Sequence, residues 1–365
     1  MSHTSHIEGI FRLKTPLHCA APGEGQGNET RTMTMPVVTR SHRTYVPFFP
    51  ANDLRGRLRR KAARLVMEAL SSSGKISREL YSGLTCGAMD ASPESDNSIE
   101  EIVRARGNLY MGVFGGGKRM LRSRFGVADL VPVVAATVDA GMVPKALAER
   151  TESTFTPMTS RDGALADVQG FELLYNRNGF KRDDAFSVAR PEELEAYVDN
   201  VLVDLTRYQE SVVAGRKERA EDKAKDASEK QGVKKTDVAN WYTVQAIAPG
   251  TPMYFRLDMD DALTSAQVGI LLQSLLDLMN EQALGGWSRC GFGRYAADLT
   301  LVRDGGRIPL LVAGDNGAYS LTPATAEYIE AMREELAQQT AAELSAFFMP
   351  IKPAKEKKAG AKKAA

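Results

Sequence analysis

Apolar positions recur along the chain with two periods. Between Ile7 and Thr15 they alternate: Ile7, Phe11, Leu13 and Thr15 share one face and Arg12 and Lys14 the other. That pattern predicts a strand ending before Pro16. After a glycine-rich polar loop, Pro22 to Thr32, comes a short apolar run, Met35 to Val38, and Tyr45 to Pro50 leads into a helix. There Leu54, Leu58, Ala62, Leu65 and Ala69 recur at helical spacing, with Asn52 or Asp53 placed to cap it. Ser71 to Arg150 is helix-rich and broken by Gly115-Gly116-Gly117, and Thr151 to Gly170 reads as a polar loop. Pro191 opens a helix whose stripe is Leu194, Val198, Val201, Leu202 and Leu205.

Between Arg216 and Lys235, 13 of 20 positions are charged, which predicts a mobile loop. Tyr242–Ile247 and Met253–Met259 alternate as strands, and Pro249-Gly250 between them predicts a hairpin. Thr264 or Ser265 starts an amphipathic helix carrying Val268, Leu271, Leu272, Leu275, Leu276 and Met279, with Gly285-Gly286 as its stop. A strand, Tyr295–Val302, follows, and the tail from Lys352 is low-complexity and reads as disordered. The order is strand, helix, two insertions, strands, helix, strand. It predicts an α+β fold compatible with a split ferredoxin-like or RNA-recognition-motif (RRM) domain.

Charge sharpens this. The 365 residues carry 47 basic and 46 acidic side chains, but their distribution is uneven. Residues 1–150 are net +7, residues 151–350 net −11 and residues 351–365 net +5. A basic front and tail on an acidic remainder point to a polyanion partner and to self-complementary stacking. Cys19, Cys86 and Cys290 are isolated, which excludes a disulfide framework or a paired-cysteine zinc site. The apolar stretch Val127–Pro144 contains Asp129 and Asp139, so no membrane span is expected. With no signal-like opening, the expectation is a cytoplasmic protein.

The first helix carries the densest candidate chemistry. Arg57, Arg60, Lys61 and Arg64 fall on one face, and Arg55 and Arg59 flank the apolar stripe. Like charges this close repel, and an anion beside them relieves the repulsion. A second cluster, Lys118, Arg119, Arg122 and Arg124, follows the glycine run. Gly112 to Lys118 has phosphate-loop spacing, yet Arg119 stands where a Ser or Thr must hold Mg²⁺. The better reading is a flexible glycine loop presenting Lys118 and Arg119 to an RNA backbone. Gly285 to Arg294 combines glycines, Trp287, Ser288, Arg289 and Phe292, types suited to approaching and stacking on a strand. His3 and His6 belong to a floppy N-terminus, whereas His18 and His42 could in principle serve a ribonuclease.

Four segments together resemble a known family: the strand ending in Pro16-Leu17-His18, Tyr45-Val46-Pro47 through Asp53–Arg59, Ala248-Pro249-Gly250-Thr251, and the glycine loop Gly285–Gly293. Their order and spacing resemble the RAMP superfamily, specifically the backbone subunit of class 1 CRISPR effector complexes (the seventh Cas group), and most of all its type IV form. Asn108–Val133 is similar to that family's fingers region, and the likeness spans Ile7 to Val302 with gaps at Arg216–Lys235.

The resemblance implies a discontinuous RRM-like palm (residues 1–70 and 240–350), a helical fingers insertion (71–150), and a thumb with a charged insertion (151–240). Residues 351–365 are then a basic tail. It implies copies stacked head to tail along a CRISPR guide RNA, beside other effector subunits, presenting the guide to a complementary target. Arg12, Lys14, Arg55, Arg57, Arg59, Arg60, Lys61, Arg64, Lys118, Arg119, Arg122, Arg124, Trp287, Ser288 and Arg289 become RNA-binding candidates. Phe155, Pro157 and Met158 become base wedges on the thumb.

One departure bears on chemistry. RNA-cleaving relatives place an Asp before a Pro-apolar pair in the first loop, whereas here Met35 precedes Pro36. Glu24 and Glu29 are the only acids in that loop, and a thioether is a poor Mg²⁺ ligand. The expectation is a binding scaffold with no catalytic residue, metal or cofactor. Its rivals are a RAMP endoribonuclease using His18, His42 or a loop acid, and a self-assembling protein whose basic faces meet proteins.

Overall fold

The computed structural model describes residues 5–21, 29–39, 43–87, 99–154, 173–180, 241–303 and 305–348. The chain divides into two compact units. The first comprises Met1–Glu24, Arg31–Tyr175 and Gln245–Ala365, and the second Gly25–Thr30 and Asn176–Val244.

Strands β1 (His6–Leu13), β2 (Glu29–Thr30), β3 (Thr34–Val38) and β4 (Arg43–Pro47) precede the long helix α1 (Ala51–Leu70). Helices α2 (Arg78–Cys86), α3 (Ile99–Gly107) and α4 (Met111–Phe114) follow, then β5 (Phe125–Val127) and β6 (Val131–Pro132). Next come α5 (Ala135–Asp139), α6 (Lys145–Thr154), β7 (Leu174–Phe180), β8 (Trp241–Ile247) and β9 (Pro252–Met259). Helix α7 (Ser265–Glu281) leads to β10 (Tyr295–Arg303), β11 (Gly306–Pro309), β12 (Leu311–Ala313) and β13 (Tyr319–Leu321). Helices α8 (Ala326–Gln338) and α9 (Ala341–Phe348) complete the described elements.

The result is a mixed α+β architecture, as expected. In the first unit six strands form one antiparallel sheet in the order β11-β10-β1-β9-β5, with β6 also on β9. β1 is central: Phe11 lies opposite Ala297 on β10 and Met253 on β9. Its alternation does what the pattern predicts. Ile7, Phe11 and Leu13 are buried in the main core with Leu54, Leu58 and Ala62 of α1 and Leu271, Leu275 and Met279 of α7. Phe11 stacks between Phe255 at 5.1 Å and Tyr295 at 4.8 Å, joining three strands through one aromatic column. The opposite face is covered too: Ile10 and Tyr254 pack with Val131, Val133, Val143 and Leu147. Gly269 lets α8 approach α7, since a Cβ there would stand 2.0 Å from the Tyr328 carbonyl.

In the second unit, β2 runs parallel to β8, with Glu29 beside Thr243 and Thr30 beside Val244. The Thr243 hydroxyl donates to Asn178 Oδ1 at 3.0 Å.

Several expectations are corrected. β8 and β9 form no hairpin, because the turn between them bonds elsewhere: Ala248 N–H donates to Leu173 O and Gly250 N–H to Leu13 O, both at 2.7 Å. β9 instead lies between β1 and β5. Neither Asn52 nor Asp53 caps α1; Pro50 is the cap residue, and the Ala51 N–H donates to Asp129 Oδ1 at 2.6 Å. The buried stripe of α1 runs through Val66 and Leu70 rather than Leu65 and Ala69. Thr264 does start α7, through a capping box with Gln267, but the helix ends at Gln282 in a left-handed conformation, before the glycines. His6 is the first residue of β1, its ring 3.7 Å from the Glu8 carboxylate, not part of a floppy end. β5 lies within 71–150, so that segment supplies a strand of the sheet as well as helices. The helix from Pro191, the charged stretch 216–235, the tail 351–365, His3, His42 and Glu24 lie outside the described residues.

Candidate nucleic-acid interface

The cations of α1 separate according to the carboxylates that face them. Toward α7, Arg57 Nε donates to Asp53 Oδ2 at 3.1 Å, and its guanidinium also lies 3.6 Å from Glu281. Lys61 Nζ is 2.8 Å from the same Glu281 carboxylate. Arg64 pairs with Glu68 at 2.7 Å on the exposed surface. Arg60 is exposed and has no hydrogen-bond or ion-pair partner among the described residues.

The flank carrying Arg55 and Arg59 faces the segment after α4. Arg59 donates to the carbonyls of Phe114 and Gly115, with its guanidinium 5.8 Å from the centre of the Phe114 ring. That geometry anchors it by cation–π and backbone contacts together. Arg55 donates to the Ser123 hydroxyl at 3.1 Å, while its Nε is buried with no hydrogen-bond partner. Arg122 is exposed, and its side chain has no partner among the described residues. Between them lies a cleft of about 410 Å³. Its polar lining is Asn52, Arg55, Arg59, Arg122 and Ser123, and its apolar lining includes Phe114, Leu121, Phe125 and Val127. No carboxylate is among its lining residues. Arg55 and Arg122, with no carboxylate in the lining and apolar side chains beside them, attract an anion.

The glycine run behaves differently from expectation. Gly115, Gly116 and Gly117 all have positive φ, at 61°, 94° and 69°. A Cβ on Gly116 would lie 2.0 Å from the Gly87 carbonyl. Gly117 N–H donates to Gly87 O at 2.8 Å and Lys118 N–H to Phe347 O at 3.0 Å. The run is therefore a fixed turn clamped by α2 and α9, preceded by helix α4 rather than by the strand a phosphate loop requires. Lys118 and Arg119 are not presented to solvent: their side chains are 12% and 10% exposed and close on Glu101 at 2.5 and 2.6 Å. Burial pushes the Glu101 carboxyl up, but hydrogen bonds from Lys118 and Arg119 outweigh it and hold the carboxyl below its ordinary value. Arg124 donates to the Ala262 carbonyl at 3.3 Å and lies 3.9 Å from Asp260.

A second convergence lies beyond β1, where three of the four segments singled out in the sequence meet. Leu17 and Ile247 exchange two backbone hydrogen bonds, at 3.0 and 2.8 Å. Gly286 N–H donates to His18 O at 2.9 Å, and Gly293 N–H to Pro16 O at 2.7 Å. Gly293 cannot be larger, since a Cβ would fall 1.8 Å from Leu284 O. Lys14, Ser288, Arg289 and Arg294 are exposed here, and Arg12 and Trp287 are half-buried. Arg294 was not among the candidates, although it belongs to the same glycine loop. Phe292 is buried, so of the two aromatics only Trp287 presents part of its surface.

His18 is buried, with Nδ1 2.7 Å from the Gln245 carbonyl and 3.2 Å from the Thr32 hydroxyl. Burial lowers its pKa, opposed by the Gln245 carbonyl, which favours the neutral ring. Met35 lies in β3, half-buried against the cluster containing Val131 and Tyr254. The wedge candidates Phe155, Pro157 and Met158 lie outside the described residues.

Neither a protein-family model nor a curated protein matches the chain. Among solved structures, a chain of a "Type IV-B CRISPR Complex" aligns at 12% identity and a TM-score of 0.43, covering 81% of this chain and 90% of that one. No helix among the described residues is long and apolar enough to cross a membrane.

Proposed function

We propose that this protein is a non-catalytic, RNA-binding backbone subunit of a type IV CRISPR effector complex. In this reading copies of the chain polymerise along the guide RNA, beside other effector subunits, and present it to a complementary strand. The observation that carries the reading is the cleft in which Arg55, Arg59 and Arg122 converge without a carboxylate in its lining. Arginines in such a place hold a phosphate backbone without reading sequence, which leaves specificity to base pairing.

The strand order supports the RRM-like palm. Taken as β1-α1-β5-β9-α7-β10, the central elements run β10-β1-β9-β5 across the sheet, so fourth, first, third, second, with both helices in the core on one face. The meeting of Pro16-Leu17-His18, Ala248–Thr251 and Gly285–Gly293 supports the family resemblance, because segments far apart in sequence become one basic end of the sheet. The non-catalytic half of the proposal is supported by His18, buried and bonded to the Gln245 carbonyl, and by Met35, packed in an apolar cluster.

The test is purification of the full chain with and without Arg55→Glu and Arg122→Glu. The unaltered protein should carry RNA, seen as a raised ultraviolet absorbance ratio and as extractable oligonucleotide, and the folded double variant should not. Equal RNA content in both would overturn the proposal.

A further inference from the structure

Helix α3 carries an apolar face that none of the described residues covers. Ile99 and Val103, one turn apart, are 76% and 64% exposed. Single exposed apolar side chains are ordinary, but two stacked at this spacing form a stripe. The other side of the same helix is packed: Ala105 is buried, and Glu101 closes on Lys118 and Arg119. At about 100° per residue, Glu100 and Gly107 lie between the stripe and Arg104. Both are exposed, and a Cβ on Gly107 would meet nothing within 4 Å, so this flank is open. The C-terminal segment starts at the far edge of that flank. The Arg104 guanidinium sits 5.6 Å from the centre of the Phe347 ring, and Lys118 N–H donates to Phe347 O at 3.0 Å. Phe348 is the last described residue; Met349-Pro350-Ile351 follows, then six lysines and one acid up to Ala365.

We infer that α3 is the docking surface for the chain's own C-terminal segment: Met349 covers Val103, Ile351 covers Ile99, and Lys352 lies beside Glu100. Reach, side-chain pattern and charge choose this occupant. Ile351 is three residues past Phe348, and extended chain covers about 3.3 Å per residue, so about 10 Å is available to cross from the Arg104 row to the stripe. Met349 and Ile351 are two positions apart and so share one side of an extended chain. Pro350 and Pro353 bias the residues before them toward extended backbone and against a continued α9. Residues 351–365 are net +5, and Glu100 is an exposed carboxylate beside the stripe, whereas Arg104 at the entry repels lysine. The docking has a consequence for placement. Arg106 Nη1 donates to Arg122 O at 2.6 Å, so the end of α3 abuts the cleft. The docked segment therefore holds its lysines within the length of one short helix from the cleft. The docking itself needs no nucleic acid and stands apart from the RNA proposal.

The test uses the full chain with Cys86→Ser and Cys290→Ser, which removes the exposed thiols, and adds the pair Ile99→Cys and Ile351→Cys. Mild oxidation of the dilute protein should give an intramolecular disulfide in most molecules. A control pair, Val38→Cys with Ile351→Cys, starts from a side chain of similar exposure, 68%, and should give about a tenth as much or less. Hydrogen exchange supplies a second readout on the unaltered chain. Amides of α3 should exchange about tenfold more slowly than in a chain ending at Phe348, with those of the central sheet equal in both. Equal disulfide yields from the two pairs would overturn the inference, as would equal α3 exchange with and without the segment. A bridge that forms only between molecules would overturn it too, because the occupant would then be another copy's segment. If the shortened chain fails to fold, the disulfide comparison in the full chain decides alone.

Discussion

Gly116 belongs both to the cleft and to the glycine turn, and the cations on these two sides end in opposite states. In the turn, Lys118 and Arg119 close on Glu101 and are nearly buried. In the cleft, no lining residue is a carboxylate, and Arg55 and Arg122 share the lining with Phe114, Leu121, Phe125 and Val127. Both look alike in sequence, as arginines and lysines near glycines. What separates them is the placement of one acid. Glu101 turns Lys118 and Arg119 into a structural clamp, and Glu281 does the same for Arg57 and Lys61 on the outer face of α1. A cation's availability to a nucleic acid thus depends on the carboxylates that tertiary structure brings to it, more than on the density of its own cluster.

The strongest way to break this contrast is to remove Glu101. Glu101→Gln leaves two nearly buried cations facing each other and should cost about 3 kcal/mol of stability in denaturant unfolding, as breaking a buried pair does. Its pH behaviour has a definite sign. Because the folded carboxyl is held below its ordinary value of 4.5, its contribution is full above that pH and is lost as pH falls through the folded value. The variant should therefore show a shallower acid limb than the parent. An unchanged unfolding midpoint would mean that the pair contributes nothing.

Gly116→Ala strikes both regions. It forces a side chain into left-handed backbone against the Gly87 carbonyl, and we expect about 2 kcal/mol of destabilisation together with weaker RNA binding. Loss of stability with full RNA affinity would uncouple the turn from the cleft.

A smaller contrast lies along α1. Lys61→Ala should cost about 0.5–1 kcal/mol through the Glu281 pair and leave RNA affinity within about twofold. Arg60→Ala should do the reverse, with stability unchanged and affinity lowered by about threefold at low salt. Anisotropy titrations beside thermal melts decide between them. The smallest effect concerns His18. Its folded pKa lies below 6.5, so its contribution is full above that value and declines as pH falls through the folded pKa. His18→Gln should flatten the stability profile below pH 6.5, and an identical decline in both proteins would place the titrating group elsewhere.

Much of the central sheet was legible because β1, α1, α7 and β10 are long enough to carry a period. Strand β5 was not, since Phe125–Val127 is three residues and shows no alternation. The false hairpin has a similar origin: Pro249-Gly250 marks a turn but not where its N–H groups go, and they go to Leu13 and Leu173. In the site, the flank of Arg55 and Arg59 could be read from helical spacing. The neutralisation of Lys61 could not, because Glu281 lies 220 positions away, nor could the capping of α1 by Asp129, 78 positions away. Local pattern reports propensity and facing; it carries nothing about which distant acid will close on a given cation.

The central claim is that the cleft, and not the glycine turn, holds the nucleic acid. The most direct measurement is the affinity for single-stranded RNA across a salt series, for the parent and two neutralised variants. One is Arg55→Gln with Arg122→Gln, and the other Glu101→Gln with Lys118→Gln and Arg119→Gln, which removes the clamp without leaving an unpaired charge. We predict that the cleft variant loses about 30–100-fold at low salt and that its slope of log affinity against log salt flattens by about 1–2. The clamp variant should stay within about twofold of the parent with the same slope. A cleft variant that binds like the parent, beside a clamp variant that does not, would contradict the account.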